Sequence, residues 1–204
     1  MLAVGVLISG RGSNLQAIID ACARKELFAR VAVVISNKSD AFGLERARKA
    51  GIETVIINSK DRQRIDFEKD MIEVLDARGV ELVVLAGFMR VLSTYFIRKY
   101  KNRIINIHPA LLPSFPGEDA QKQAFDYGVK VTGCTVHLVD EGVDTGPIVV
   151  QIPVECQEGD TVETLAARIL EQEHKALPRA IQYFAEGRVQ VDGRRVKIIT
   201  RGPK

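Results

Sequence analysis

Short aliphatic runs alternating with longer amphipathic segments constrain this chain more than any other feature. Leu2–Ser9, Val31–Ser36, Thr54–Ile57, Leu82–Ala86 and Ile104–His108 have strand length and are rich in Val, Ile and Leu. Between them, Asn14–Arg24, Ala41–Ala50 and Arg62–Arg78 have helical character. In the last of these, Ile65, Met71, Ile72 and Leu75 share one face. Strands that are apolar throughout need cover on both sides, and the intervening helices supply it. The pattern therefore predicts an α/β fold, an open and mostly parallel sheet flanked by helices.

The rhythm changes after Pro109. A loop carrying Pro109, Pro113 and Pro116 precedes a short helix at Ala120–Tyr127. Strands are expected at Val131–Val139 and Ile148–Val154, then a long helix from about Thr161 to Glu186. Asp160 is its expected cap, with Glu163 as reciprocal partner. Pro178 should kink or split it. Val189–Ile199, with Asp192-Gly193 at its centre, reads as a hairpin. No linker or repeat interrupts the chain, so we expect one domain, 1–204. Residues 1–108 form a parallel half, and 109–204 hold loops, the long helix and antiparallel additions.

Composition excludes several classes. Lys and Arg total 29 against 26 Asp and Glu, a formal +3, too balanced for nucleic-acid binding by charge. No apolar run approaches the ~18 residues of a membrane span. The start reads as a first strand and not as a signal peptide, which suggests a cytoplasmic protein. Cys22, Cys134 and Cys156 are odd in number and far apart, and His108, His137 and His174 lack metal-ligand spacing, so no disulfide framework or metal site is expected. His137 and His174 read as structural residues.

Two motifs carry chemistry. Ser9-Gly-Arg-Gly-Ser-Asn14 joins a strand to a helix, where free N–H groups and the positive end of the helix dipole suit a phosphate. A dinucleotide fingerprint is disfavoured, because Leu15 occupies its third glycine position. A turn capped by Ser or Asn, without a ligand, is the competing explanation. Asn106-Ile-His108-Pro109 ends a central strand, and alternation puts Asn106 and His108 on one side. A later glycine-rich loop, Asp140-Glu-Gly-Val-Asp-Thr-Gly-Pro147, supplies carboxylates. An amide, an imidazole and a carboxylate are the parts needed to stabilise an oxyanion. Without G-x-S-x-G, and with no cysteine beside a histidine, direct transfer between two bound substrates fits better than a covalent intermediate.

Ile8–Leu15, Leu85-Ala-Gly-Phe-Met-Arg-Val-Leu92, Ile105–Pro113 and Asp140–Pro147 occur in that order. With them, the chain from about Leu2 to Arg188 resembles the folate-dependent phosphoribosylglycinamide formyltransferases, within the formyltransferase superfamily and its Rossmann-like fold. The resemblance implies formyl transfer from 10-formyltetrahydrofolate, as co-substrate and without a metal, to the amine of glycinamide ribonucleotide. It implies Asn106, His108 and Asp144 as catalytic residues and Gly12, Ser13, Asn14 and Glu173 as ribonucleotide contacts. Arg64, Met89, Arg90, Val91, Leu92, Asn106 and Asp140 would face the folate. Where many relatives carry histidine, this chain has Pro116-Gly-Glu-Asp-Ala-Gln121, which leaves His108 as the only candidate imidazole for that role.

The expected partners are these two small molecules, with no nucleic acid or membrane, in a monomer or homodimer. The rivals are a formyltetrahydrofolate hydrolase, which normally carries an extra N-terminal domain, and a methionyl-tRNA formyltransferase-like enzyme, which normally adds a C-terminal one. A non-catalytic folate- or phosphate-binding regulator is the alternative of another class.

Overall fold

Residues 1–200 are described in a computed structural model; residues 201–204, the end of the expected second half, lie outside the described residues. The strands are β1 (Leu2–Ile8), β2 (Ala29–Ser36), β3 (Thr54–Ile56), β4 (Leu82–Leu85), β5 (Ile104–His108), β6 (Val131–Leu138) and β7 (Ile148–Glu155). They form one seven-stranded sheet in the order β3-β2-β1-β4-β5-β6-β7. Strands β1 to β5 run parallel, while β6 and β7 are antiparallel to their neighbours. A separate hairpin pairs β8 (Val189–Asp192) with β9 (Arg195–Ile198).

Period-two alternation divides the strands between two cores, as burial on both faces requires. Val4, Val6, Ile8, Val34 and Val84 face α1 (Ser13–Ala23), α2 (Phe42–Lys49) and α6 (Val162–Ala185), with Leu15, Leu44, Ile169 and Ile181 packed against them. Leu7, Val33, Ile35, Val83 and Leu85 face α3 (Arg64–Ala77) and α4 (Thr94–Lys99) through Phe67, Met71, Leu75 and Phe96. The remaining helix, α5 (Ala120–Tyr127), precedes β6.

Three local expectations need correction, and a fourth, at Pro178, is narrowed. Helix α4 went unrecognised because six residues are too few to display a period; Ser93 caps it, accepting from the Phe96 N–H at 3.4 Å. Ile65 is exposed, and the buried stripe of α3 begins at Phe67, whose ring stacks on Phe88. Thr161 and not Asp160 caps α6, in a reciprocal pair with Thr164 at 3.3 and 2.9 Å. Asp160 is taken up by Arg168, at 2.6 and 2.9 Å. Pro178 does not split α6. Leu165 and Ile169 before it, and Ala180 and Ile181 after it, are fully buried, and this packing outweighs one missing hydrogen bond.

Candidate active site

The crossover from β1 to β2 on one side and β4 on the other puts a crevice at the carboxyl ends of the strands, the usual ligand position in open parallel sheets. Three loops meet along this edge. After β1, Gly12 adopts the left-handed conformation (φ 69°) and serves as the N-cap of α1 without any side-chain cap bond. A Cβ on Gly12 would press on the Gly43 backbone, so glycine is required both by conformation and by close approach. The first-turn N–H groups of α1 therefore have no Ser or Asn cap over them, contrary to the capped turn that was the competing expectation.

Asn14 points from that turn into the protein and donates to Glu173 Oε2 of α6 at 2.7 Å. Both side chains are buried, and Asn14 Oδ1 has no partner among the described residues. Burial raises the Glu173 carboxyl above its ordinary value, against the Asn14 hydrogen bond, which lowers it. The expected ribonucleotide residues thus form one connected group.

After β4, the Met89 N–H donates to Ser9 Oγ at 2.8 Å, tying this loop to the end of β1. The far end of the loop is held by buried Glu68, which accepts from the Ser93 N–H at 2.6 Å and from the Ser93 hydroxyl. Between these anchors Met89, Arg90 and Val91 are exposed and Leu92 is buried. Arg64 is exposed at the start of α3 and makes no bond to any of the other expected residues.

The third group is the densest. Asp144 bridges β5 through both oxygens: Oδ2 lies 3.2 Å from His108 Nδ1 and Oδ1 lies 3.4 Å from Asn106 Nδ2. The Gly117 N–H also donates to Oδ2, at 2.9 Å. Asp144 itself is left-handed (φ 53°), a conformation a non-glycine residue keeps only where its surroundings impose it. Asp140 accepts from the Gly142 N–H at 3.2 Å and the Thr145 hydroxyl at 2.6 Å, folding the loop that carries Asp144. Asn106 and His108 do share one face, as alternation predicts.

A second imidazole joins them, against expectation. In the β5–β6 ladder Asn106 pairs with His137, and antiparallel partners present their side chains on the same face. His137 Nε2 lies 3.2 Å from Asn106 Nδ2 and 3.4 Å from Asp144 Oδ1. Its Nδ1 lies 2.8 Å from the Leu138 carbonyl, which can only accept, so Nδ1 carries a proton. In the neutral ring Nε2 then accepts from Asn106, and in the charged ring it donates to Asp144 Oδ1. His108 is therefore not alone. The one available signal was the alternation of Thr135 and His137 with Val136 and Leu138, but the pairing register is not written in that segment. Thr135 itself orders the proline-rich loop, donating to the Ala110 carbonyl at 2.7 Å and accepting from the Leu112 N–H at 3.1 Å.

Electrostatics follow from this packing. Burial pushes the Asp144 carboxyl up, but the His137 hydrogen bond, the Gly117 N–H and the two imidazoles outweigh it and hold it below its ordinary value. Burial holds the His108 imidazole below its ordinary value, against the opposing pull of Asp144 and the Phe115 carbonyl. His108 Nε2 lies 2.8 Å from that carbonyl, so both ring nitrogens face acceptors. By contrast His174 is half-buried, with no partner for Nε2 among the described residues, and the three free thiols all have raised pKa values through burial. Among the described residues no group of three His, Cys, Asp or Glu is placed to hold a metal ion, and no helix is long and apolar enough to cross a membrane.

Comparison with known proteins decides the family. The formyl transferase profile matches residues 2–181. The chain belongs to the formyl transferase family. Its relatives in the family include the phosphoribosylglycinamide formyltransferase of Escherichia coli, 46% identical over 91% of this chain and 88% of the relative. The trifunctional purine biosynthetic protein adenosine-3 of Bos taurus is 50% identical over 92% of this chain. This family member spans about a fifth of the length of that animal relative, 19%. A crystal structure of glycinamide ribonucleotide transformylase 1 from Symbiobacterium toebii superposes with a TM-score of 0.96 at 53% identity, covering 98% of this chain and 95% of the other. The open sheet with its antiparallel additions is the fold of that structure.

Proposed function

We propose that this formyl transferase moves the formyl group of 10-formyltetrahydrofolate to the primary amine of glycinamide ribonucleotide, giving formylglycinamide ribonucleotide and tetrahydrofolate in purine biosynthesis. The observation that carries this reading is the bridging of Asn106 and His108 by Asp144 on β5, beside β4 and its Met89–Leu92 loop, with the uncapped α1 N-terminus following β1 on the other side of β4. In this reading the phosphate lies at Gly12, Ser13 and Asn14, and the ribonucleotide also meets Glu173. The folate lies along Met89, Arg90, Val91 and Leu92, bordered by Asp140, with its glutamate tail towards Arg64. Residues 1–204 act as one domain, and the small-molecule substrates go with a cytoplasmic location.

Holding both substrates on one edge makes the attack effectively unimolecular. The amine attacks the formyl carbon, and negative charge builds on the formyl oxygen. Asn106 Nδ2 and a His108 N–H donate to that oxygen. Both donors are already engaged, so each exchanges a protein acceptor for the oxyanion: Asn106 its 3.4 Å contact with Asp144, His108 the Phe115 carbonyl. Asp144, held ionised beside His108 Nδ1, supports the positive charge that develops on the ring as its N–H donates to the oxyanion. The attacking nitrogen gives up a proton, water carries one to the leaving nitrogen, and the tetrahedral intermediate collapses with the formyl carbonyl re-formed and tetrahydrofolate released.

The test is spectroscopic. Purified protein is mixed with 10-formyltetrahydrofolate with and without glycinamide ribonucleotide, and loss of the formyl donor is followed. Turnover that requires the ribonucleotide is expected. Turnover without it assigns the hydrolase reaction instead, and none in either mixture assigns a binding protein or a different acceptor.

A further inference from the structure

The β8–β9 hairpin lies beyond residues 2–181 that match the family, and neither motif reaches it. Its root is firmly held. The Arg188 side chain donates to the Ile199 carbonyl at 2.7 Å and to Glu186 at 2.9 Å, and its guanidinium sits 4.9 Å from the Tyr183 ring centroid. The Ile199 N–H donates back to the Arg188 carbonyl at 2.9 Å. Val191 and Val196 pack against the core on the α6 side of the sheet. A short hairpin anchored in this way is a stiff arm, and its turn carries Arg194.

Arg194 Nη1 donates to the Thr145 carbonyl at 2.6 Å, across 49 residues of sequence. Thr145 follows Asp144 directly, and its hydroxyl is already fixed by Asp140. Gly146, next in the chain, passes so close to the Leu138 carbonyl that a Cβ would overlap it. Thr145, the residue after Asp144, is thus held by its side-chain hydroxyl on one side and, through its carbonyl, by the guanidinium on the other. A charged donor makes a stronger hydrogen bond than a neutral one.

We propose that Arg194 is a positioning residue for formyl transfer. By holding the Thr145 carbonyl it keeps Asp144 in its left-handed conformation, with both carboxylate oxygens aimed at Asn106 and His108. The inference rests on the role given to Asp144 under the proposed function. It extends the site to a segment outside the matched region.

The test compares Arg194→Ala, Arg194→Lys and Arg195→Ala in the full chain. Arg195 is the exposed neighbour, so its removal costs the same charge without touching the loop. Arg194→Ala should lower kcat about three- to tenfold, with KM for both substrates unchanged and the melting temperature within about 2 °C of the parent. Arg195→Ala should match the parent, and Arg194→Lys, which keeps a cationic donor, should recover part of the loss. Amide exchange at Thr145 and Gly146 should quicken only in Arg194→Ala.

Equal kcat in the two alanine variants overturns the proposal, as does unchanged exchange in the loop. A loss in kcat matched by a large fall in melting temperature reduces Arg194 to a structural residue and also overturns it. If the parent itself shows no ribonucleotide-dependent turnover, the functional reading fails separately, and the exchange rates still decide whether Arg194 holds the loop.

Discussion

Two stretches of the same sheet edge are built on opposite principles. At the end of β1, the backbone donors of α1 carry no side-chain cap, which leaves them free for the phosphate of the proposed function. At the β5–β6 corner, Asn106, His108, His137 and Asp144 are engaged with one another or with nearby carbonyls. The first region is left unsatisfied, and in the proposed function it binds for that reason. The second is satisfied, and in the proposed function it acts by exchanging one partner for another. The proposal thereby assigns ground-state binding and transition-state stabilisation to different parts of the edge.

The comparison breaks most visibly at Asp144. Asp144→Asn or His108→Ala should lower turnover by roughly 10²–10⁴ while the fold survives, because oxyanion stabilisation and its charge balance are lost together. His137→Ala should cost less, about tenfold, since His137 touches the donors and not the reacting oxygen. Steady-state kinetics with circular dichroism as a folding control decides this, and parent-like rates in Asp144→Asn and His108→Ala would remove the catalytic role.

A smaller effect sharpens the other side. Ser13→Asp places a like charge at the α1 N-terminus and should raise KM for the ribonucleotide by about ten- to a hundredfold, leaving KM for the folate near its parent value. Equal loss for both substrates would detach the turn from the phosphate.

The smallest expected effect is on stability. The fold lowers the His108 pKa below its ordinary 6.5, so the neutral ring is favoured in the native state. That contribution is complete above pH 6.5 and is lost as pH falls through the folded pKa. Asp144, also lowered, contributes above its ordinary 3.8 and loses its contribution only below that. Chemical denaturation at stepped pH should therefore show the parent losing stability below pH 6.5, with a shallower slope in His108→Gln. Parallel slopes would mean that His108 titrates alike in the folded and unfolded chains.

Legibility followed the same division. The turn from β1 into α1 could be read because its parts are contiguous: a strand, glycines and a helix start within a few residues. Asn106 and His108 could be paired because strand alternation is local. Asp144 was joined to them by family resemblance, and the cluster geometry makes the connection explicit through two oxygens and two side chains. His137 was missed because its membership depends on the antiparallel register Asn106↔His137. No residue near position 137 encodes that register.

Sequence alone determined the alternating βα units, the glycine turn from β1 into α1 and the shared face of Asn106 and His108, since each follows from steric and periodic rules acting over a few residues. Tertiary structure alone decided that α6 continues through Pro178, that a second imidazole joins the cluster, and that Arg194 reaches the loop of Asp144. These depend on segments that meet only when the whole sheet is assembled. Burial and hydrogen-bond satisfaction in the finished core then override what each segment prefers by itself.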